Sequence, residues 1–143
     1  MMVVRRALHP LLVPFPLAFF GMSFVFDLLS LAFGAPMVEA ARYNVVGGLV
    51  AAALTAAAGV YDYCAQLAPR STGRRLARWH ALLNLVAIGL FAAGLGDRWA
   101  ARGVLVTPRT PFVLSALGVL LLGVSGYVGG VIFFNFARPV RNP

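Results

Sequence analysis

The chain has 143 residues, of which 61% are hydrophobic and only 11% charged, where a soluble domain carries about 25% charged residues. Its mean hydropathy is +0.87, more apolar surface than one small core can hide, so lipid must be part of its solvent. The net charge of +8 comes from twelve basic residues, all arginine and set at the ends of apolar runs, a pattern of membrane topology signals that excludes a nucleic-acid footprint.

The first apolar run, residues 11–33, is entered through "HPLLVPFP" at residues 9–16. Pro10 fits a first helical turn, where its missing N–H costs little. Pro14 and Pro16 come too late for that and should leave carbonyls near residues 10–12 unpaired, loosening the first turns. Irregular backbone at membrane depth is tolerated only against protein or a water-filled cavity, so this segment should face the bundle and carry His9 inward. The remaining runs cover 44–64, 79–96 and 111–137. Roughly 20 helical residues cross a hydrocarbon core of about 30 Å, and long unalternating runs exclude a barrel. The expected fold is all-α: a single transmembrane domain over residues 1–143, built as an integral membrane four-helix bundle.

Small residues support close packing: Gly48, Ala52 and Ala56 in the second run, and the GxxxG of Gly126 and Gly130 in the fourth. The loop at 97–110 is the longest piece outside the bilayer, and no internal repeat is evident. The single Cys64 excludes an internal disulfide.

Arg5, Arg6, Arg70, Arg74, Arg75, Arg78, Arg138 and Arg141 fall on one side of the four spans, and Arg42, Arg98, Arg102 and Arg109 on the other. The excess belongs inside, which puts both termini in the cytoplasm and the protein in a bacterial inner membrane. The N-terminus also has a loose secretory-signal look, but an apolar stretch of about 23 residues exceeds the 7–15 of such signals and argues for a retained span.

Few ionisable groups lie in or beside the spans. His9 opens span one, His80 opens span three and Asp62 closes span two, so all three reach one depth near the inner boundary. A carboxylate at a helix C-terminus is opposed by the dipole, and Asp62 therefore asks for a positive or hydrogen-bonding partner. Asp27 lies deeper and must face the bundle; the expectation is a buried clamp between spans one and two, with Arg42 or Asn44 as partner. Paired histidines from two helices are the axial ligands a b-type haem needs in a bundle. Arg75 and Arg78 lie at the level of propionates, as do Arg5, Arg6 and Arg74, and Asn84 is placed to orient the His80 ring or a bound quinone. With Asp62 the two histidines also make a two-histidine, one-carboxylate metal set. An interfacial hydrogen-bond cluster with no cofactor is the third reading.

The order "HPLLVPFPL", "FVFDLL", "GGLVAAALTAAAGVYDY", "WHALLN" and "GYVGG" resembles the four-span bacterial membrane family called domain of unknown function 2231, over nearly the whole chain. His9, Pro10, Pro16, Asp27, Asp62, His80, Asn84, Gly126, Gly129 and Gly130 match its pattern. Arg6, Val131 and Phe136 stand where many members carry a histidine, an acidic residue and a late histidine, so the resemblance implies one bis-histidine site at most. Some members are joined to Rieske-type iron–sulfur domains, which implies a link to membrane electron transfer and no established activity.

The expectation is a small membrane subunit of an electron-transfer chain, holding one haem b between His9 and His80. The alternative is a non-catalytic accessory subunit of a larger redox or other membrane complex, with no cofactor. A small-solute or proton transporter ranks last, because transporters break their helices at mid-membrane. No nucleophile set, phosphate loop or thiol metal motif points to an enzyme.

Overall fold

A computed structural model describes residues 8–67 and 69–136. The described residues are helical with no strand, in five segments: α1 (His9–Leu12), α2 (Pro14–Phe33), α3 (Ala35–Gln66), α4 (Thr72–Ala100) and α5 (Arg109–Phe136). The first two form one membrane-length span, and four such spans result, of 25, 31, 29 and 28 residues. The protein is an integral membrane helical bundle.

The break between α1 and α2 falls at Val13, where the prolines demand it. Pro16 has no N–H to give the Leu12 carbonyl four residues back; the Thr55 hydroxyl of α3 comes within 3.3 Å of that oxygen, sharing its one hydrogen with the Ala51 carbonyl at 2.8 Å. The broken turn thus leans on protein, as irregular backbone in a membrane must.

The spans pair as two hairpins, α2 with α3 and α4 with α5, and the hairpins meet through α3 with α4 and α2 with α5. Going round the bundle, α2 and α4 lie on one diagonal and α3 and α5 on the other. Gly34 alone turns the first hairpin, at φ 75° and ψ −150°, a conformation open essentially to glycine. The second turns through residues 101–108, and Ser71 opens α4 by accepting the Arg74 N–H at 3.1 Å.

Two spans are longer than expected, 35–66 rather than 44–64 and 72–100 rather than 79–96. The loop expected at 97–110 shrinks accordingly to 101–108. Arg42 and Arg98, read as topology charges at the ends of apolar runs, are buried within helices and do not end them. Arg42 pairs with Glu39 and stacks on Trp99, 4.5 Å from the ring centre. Arg5, Arg6, Arg138 and Arg141 lie outside the described residues.

Polarity runs inside out. Ser23, Ser30, Thr55, Ser115 and Ser125 are buried, whereas Leu31, Phe33, Leu120 and Phe134 stand exposed to lipid. Exposed Tyr61 and Trp79 near one end, and Tyr43 and Trp99 near the other, form the aromatic girdles of the two interfaces. Of the small-residue motifs, Gly48 is used: a Cβ there would sit 2.6 Å from the Phe20 ring. Gly126 and Gly130 face open space, so the GxxxG serves no packing inside this bundle.

Candidate functional site

His9 and His80 meet on the α2–α4 diagonal, with ring centroids 5.9 Å apart and ring planes at 89°. Each is held by the α3 or α5 helix of its own hairpin. His9 Nδ1 lies 2.8 Å from the Thr55 carbonyl, and His80 Nδ1 lies 2.8 Å from the Ser125 carbonyl. A carbonyl only accepts, so both Nδ1 atoms donate, and in a neutral ring the lone pair then sits on Nε2. Each ring also rests on a glycine. A Cβ at Gly59 would come within 2.9 Å of His9, and one at Gly129 within 2.9 Å of His80. The Ser125 hydroxyl adds a bond to the His80 carbonyl at 3.2 Å.

Asp62 reaches the same layer as expected, with its Oδ2 accepting the His9 backbone N–H at 2.9 Å. It thereby caps the positive end of α1, which answers the unfavourable dipole at its own helix end. The metal set of His9, Asp62 and His80 is not assembled: among the described residues no three His, Cys, Asp or Glu side chains group as metal ligands. Asn84 lies where it was expected to orient His80, donating from Nδ2 to the ring Nε2 and to the His80 carbonyl, both at 3.0 Å. Arg75 and Arg78 are exposed on the first turns of α4, and Arg74 packs over Tyr63 at 4.5 Å.

Below the histidines, Phe20 and Phe91 stack across the same diagonal, 4.2 Å between centroids. Further along, Asp27 and Arg98 form a fork-to-fork ion pair at 2.7 and 2.5 Å, with both side chains at most 1% exposed. Further donors and acceptors surround it. Thr107 donates to Asp27 Oδ1 at 2.9 Å, and Arg98 also donates to the Ser115 hydroxyl at 2.7 Å and weakly to the Pro111 carbonyl at 3.4 Å. Ser30 links the Thr107 amide to the Asp27 carbonyl.

This corrects the expected clamp. Asp27 ties α2 to α4, across the two hairpins, and its partner is neither Arg42 nor Asn44. Arg42 is buried but engages Glu39, while Asn44 donates to the Ala40 carbonyl of its own helix at 2.8 Å. The hydropathy and charge pattern did not point to Arg98 as that partner, nor to Thr107, Ser115, Thr55, Ser125 and Gly59, while Gly129 entered only as a match to the family pattern. Thr55 and Ser125 carried a signal, each four residues before a glycine, on helices that otherwise show little but apolar side chains.

Comparison with known proteins agrees with the family resemblance over nearly the whole chain. The family model described as predicted membrane protein (DUF2231) matches residues 5–140, and the chain belongs to that family. No curated protein and no solved structure matches it.

Proposed function

We propose that this member of the DUF2231 membrane family is a small electron-transfer subunit that binds one b-type haem between His9 and His80. The observation that carries the reading is the pair of rings at 5.9 Å, each with Nδ1 tied to a backbone carbonyl. Two metal–nitrogen bonds of about 2 Å, added to the ring radii, set bis-histidine centroids roughly 6 Å apart. A carbonyl on Nδ1 is also the usual partner that fixes a metal-binding imidazole for ligation through Nε2. Bound haem supplies one-electron chemistry. Arg75 and Arg78, exposed at the same end, are the propionate partners in this reading, and Asn84 must release the His80 Nε2 on binding.

Haem titrated into the purified chain should give a Soret band saturating at one equivalent, and His9→Ala and His80→Ala should each abolish it. Arg75→Ala should weaken binding only slightly, because a single exposed charge contact contributes little. Saturation unaffected by either histidine change would overturn the reading.

The hydrogen bond from Asn84 to His80 Nε2 favours a second reading, in which the rings are structural and the protein is an accessory subunit without cofactor. Its preparation would be colourless, and the outward face of Gly126 and Gly130 would meet a partner helix. Both readings put the histidine end in the cytoplasm. Arg70, Arg74, Arg75 and Arg78 lie there, against Arg102 and Arg109 at the other end once the buried Arg42 and Arg98 are set aside. Reporter fusions at residues 72 and 104 should report opposite sides, with 72 inside.

A further inference from the structure

We infer that the chain is one helical hairpin used twice, that each hairpin's inner face is a docking surface for the other, and that Asp27 and Arg98 let only unlike hairpins pair. The side chains that meet on the diagonal occupy equivalent places in the two halves. His9 and His80, Phe20 and Phe91, and Asp27 and Arg98 are each 71 residues apart. Their supports on α3 and α5 keep a spacing of 70: Gly48 and Gly118, Thr55 and Ser125, Gly59 and Gly129.

The contacts repeat with the spacing. Phe20 lies against Gly48 as Phe91 lies against Gly118, where an added Cβ would come within 2.6 and 2.5 Å of the rings. His9 rests on Gly59 and the Thr55 carbonyl as His80 rests on Gly129 and the Ser125 carbonyl. The written sequence carries the same echo, "HPLL" against "HALL", and a glycine, six residues, Thr or Ser, three residues and a glycine in both second helices. Both α2 and α4 start at the histidine end, so the two halves are related by a rotation about the membrane normal, as in parallel repeats.

Two of the three layers on the axis would suit any pairing of hairpins. A histidine meets a histidine and a phenylalanine a phenylalanine whichever copies come together. The third layer discriminates. Two first hairpins would bury Asp27 against a second Asp27, and two second hairpins would bury two arginines, each charge then losing its partner in a site at most 1% exposed. Like charges buried together are the repulsive element that specificity requires.

The test uses the full chain in detergent and does not depend on whether haem is bound. Asp27→Arg and Arg98→Asp should each lower Tm by on the order of 10 °C and shift the protein from monomer to aggregate. The double exchange should regain most of that loss, though not all, since Ser115 and Thr107 stay where they serve the native charges. A permuted full chain, with residues 69–143 placed ahead of 1–68 through a flexible linker, should fold and show the same rescue of single by double exchange. A double exchange as damaging as the single ones would overturn the pairing rule. A permuted chain that is monomeric but shows no coupling between positions 27 and 98 would overturn the duplication.

Discussion

The two polar layers on the bundle axis differ in how they are closed. Asp27 and Arg98 are buried, doubly hydrogen-bonded to each other and surrounded by Thr107, Ser115 and Ser30. The histidine layer is half-buried and held from behind, through Nδ1 of each ring. About 18 helical residues separate the layers, some 27 Å at 1.5 Å per residue, with the Phe20–Phe91 stack between. Intramembrane charge is therefore not in itself a sign of chemistry. The Asp27–Arg98 layer is closed by its own ion pair and the hydroxyls around it and serves pairing. In the histidine layer both Nδ1 atoms are held from behind and, among the described residues, only the His80 Nε2 has a partner, Asn84.

Removing one member of the closed layer should be the most damaging change. Arg98→Ala leaves the Asp27 carboxylate buried without its partner and should cost about 3–5 kcal/mol, measured by denaturation of the purified protein in detergent. If the cost fell to that of a surface pair, the contrast between the layers would fail. Gly118→Ala should come next. Its Cβ meets the Phe91 ring, the Phe20–Phe91 stack must shift, and overpacking of this kind costs about 1–3 kcal/mol.

Behind the histidines, Thr55→Val removes the hydroxyl whose one hydrogen is shared between the Leu12 and Ala51 carbonyls. About 1 kcal/mol of stability should go with it, together with a loosened α1 visible as faster amide exchange near residue 12. Smallest of all, Gly126→Leu should leave the stability of the isolated chain unchanged, because nothing in the bundle lies within 4 Å of the added carbon. A large loss there would mean that the fourth span packs differently.

The number and rough extent of the spans were legible because hydropathy over about 20 residues is a local property. So was the broken entry, since each proline removes a known donor from a known carbonyl. The convergence of His9, Asp62 and His80 also followed from counting residues from span ends. Partner choice across the bundle did not. Arg42 and Asn44 lie on the helix that follows Asp27 in the chain, whereas Arg98 lies 71 residues away on the diagonal, a relation that no periodicity in either helix reveals. Thr107 was hidden for another reason, being a loop residue that folds back into the core.

The repeat escaped notice because the faces turned to lipid tolerate any apolar side chain, so the halves differ at most positions. Only the residues that touch across the axis, or support those that do, keep their spacing. One asymmetry follows from it. The place of Asn84 in the second half is held by Val13 in the first, at the proline break, so His80 has an amide on Nε2 that His9 gets from no equivalent residue.

The absorption spectrum of the full chain, purified from cells supplied with haem, tests the proposed ligand role of the histidine layer directly. A Soret band that shifts on reduction, and that disappears with either His9→Ala or His80→Ala while the protein stays folded and monomeric, is the predicted result. A folded, monomeric and colourless preparation would contradict it.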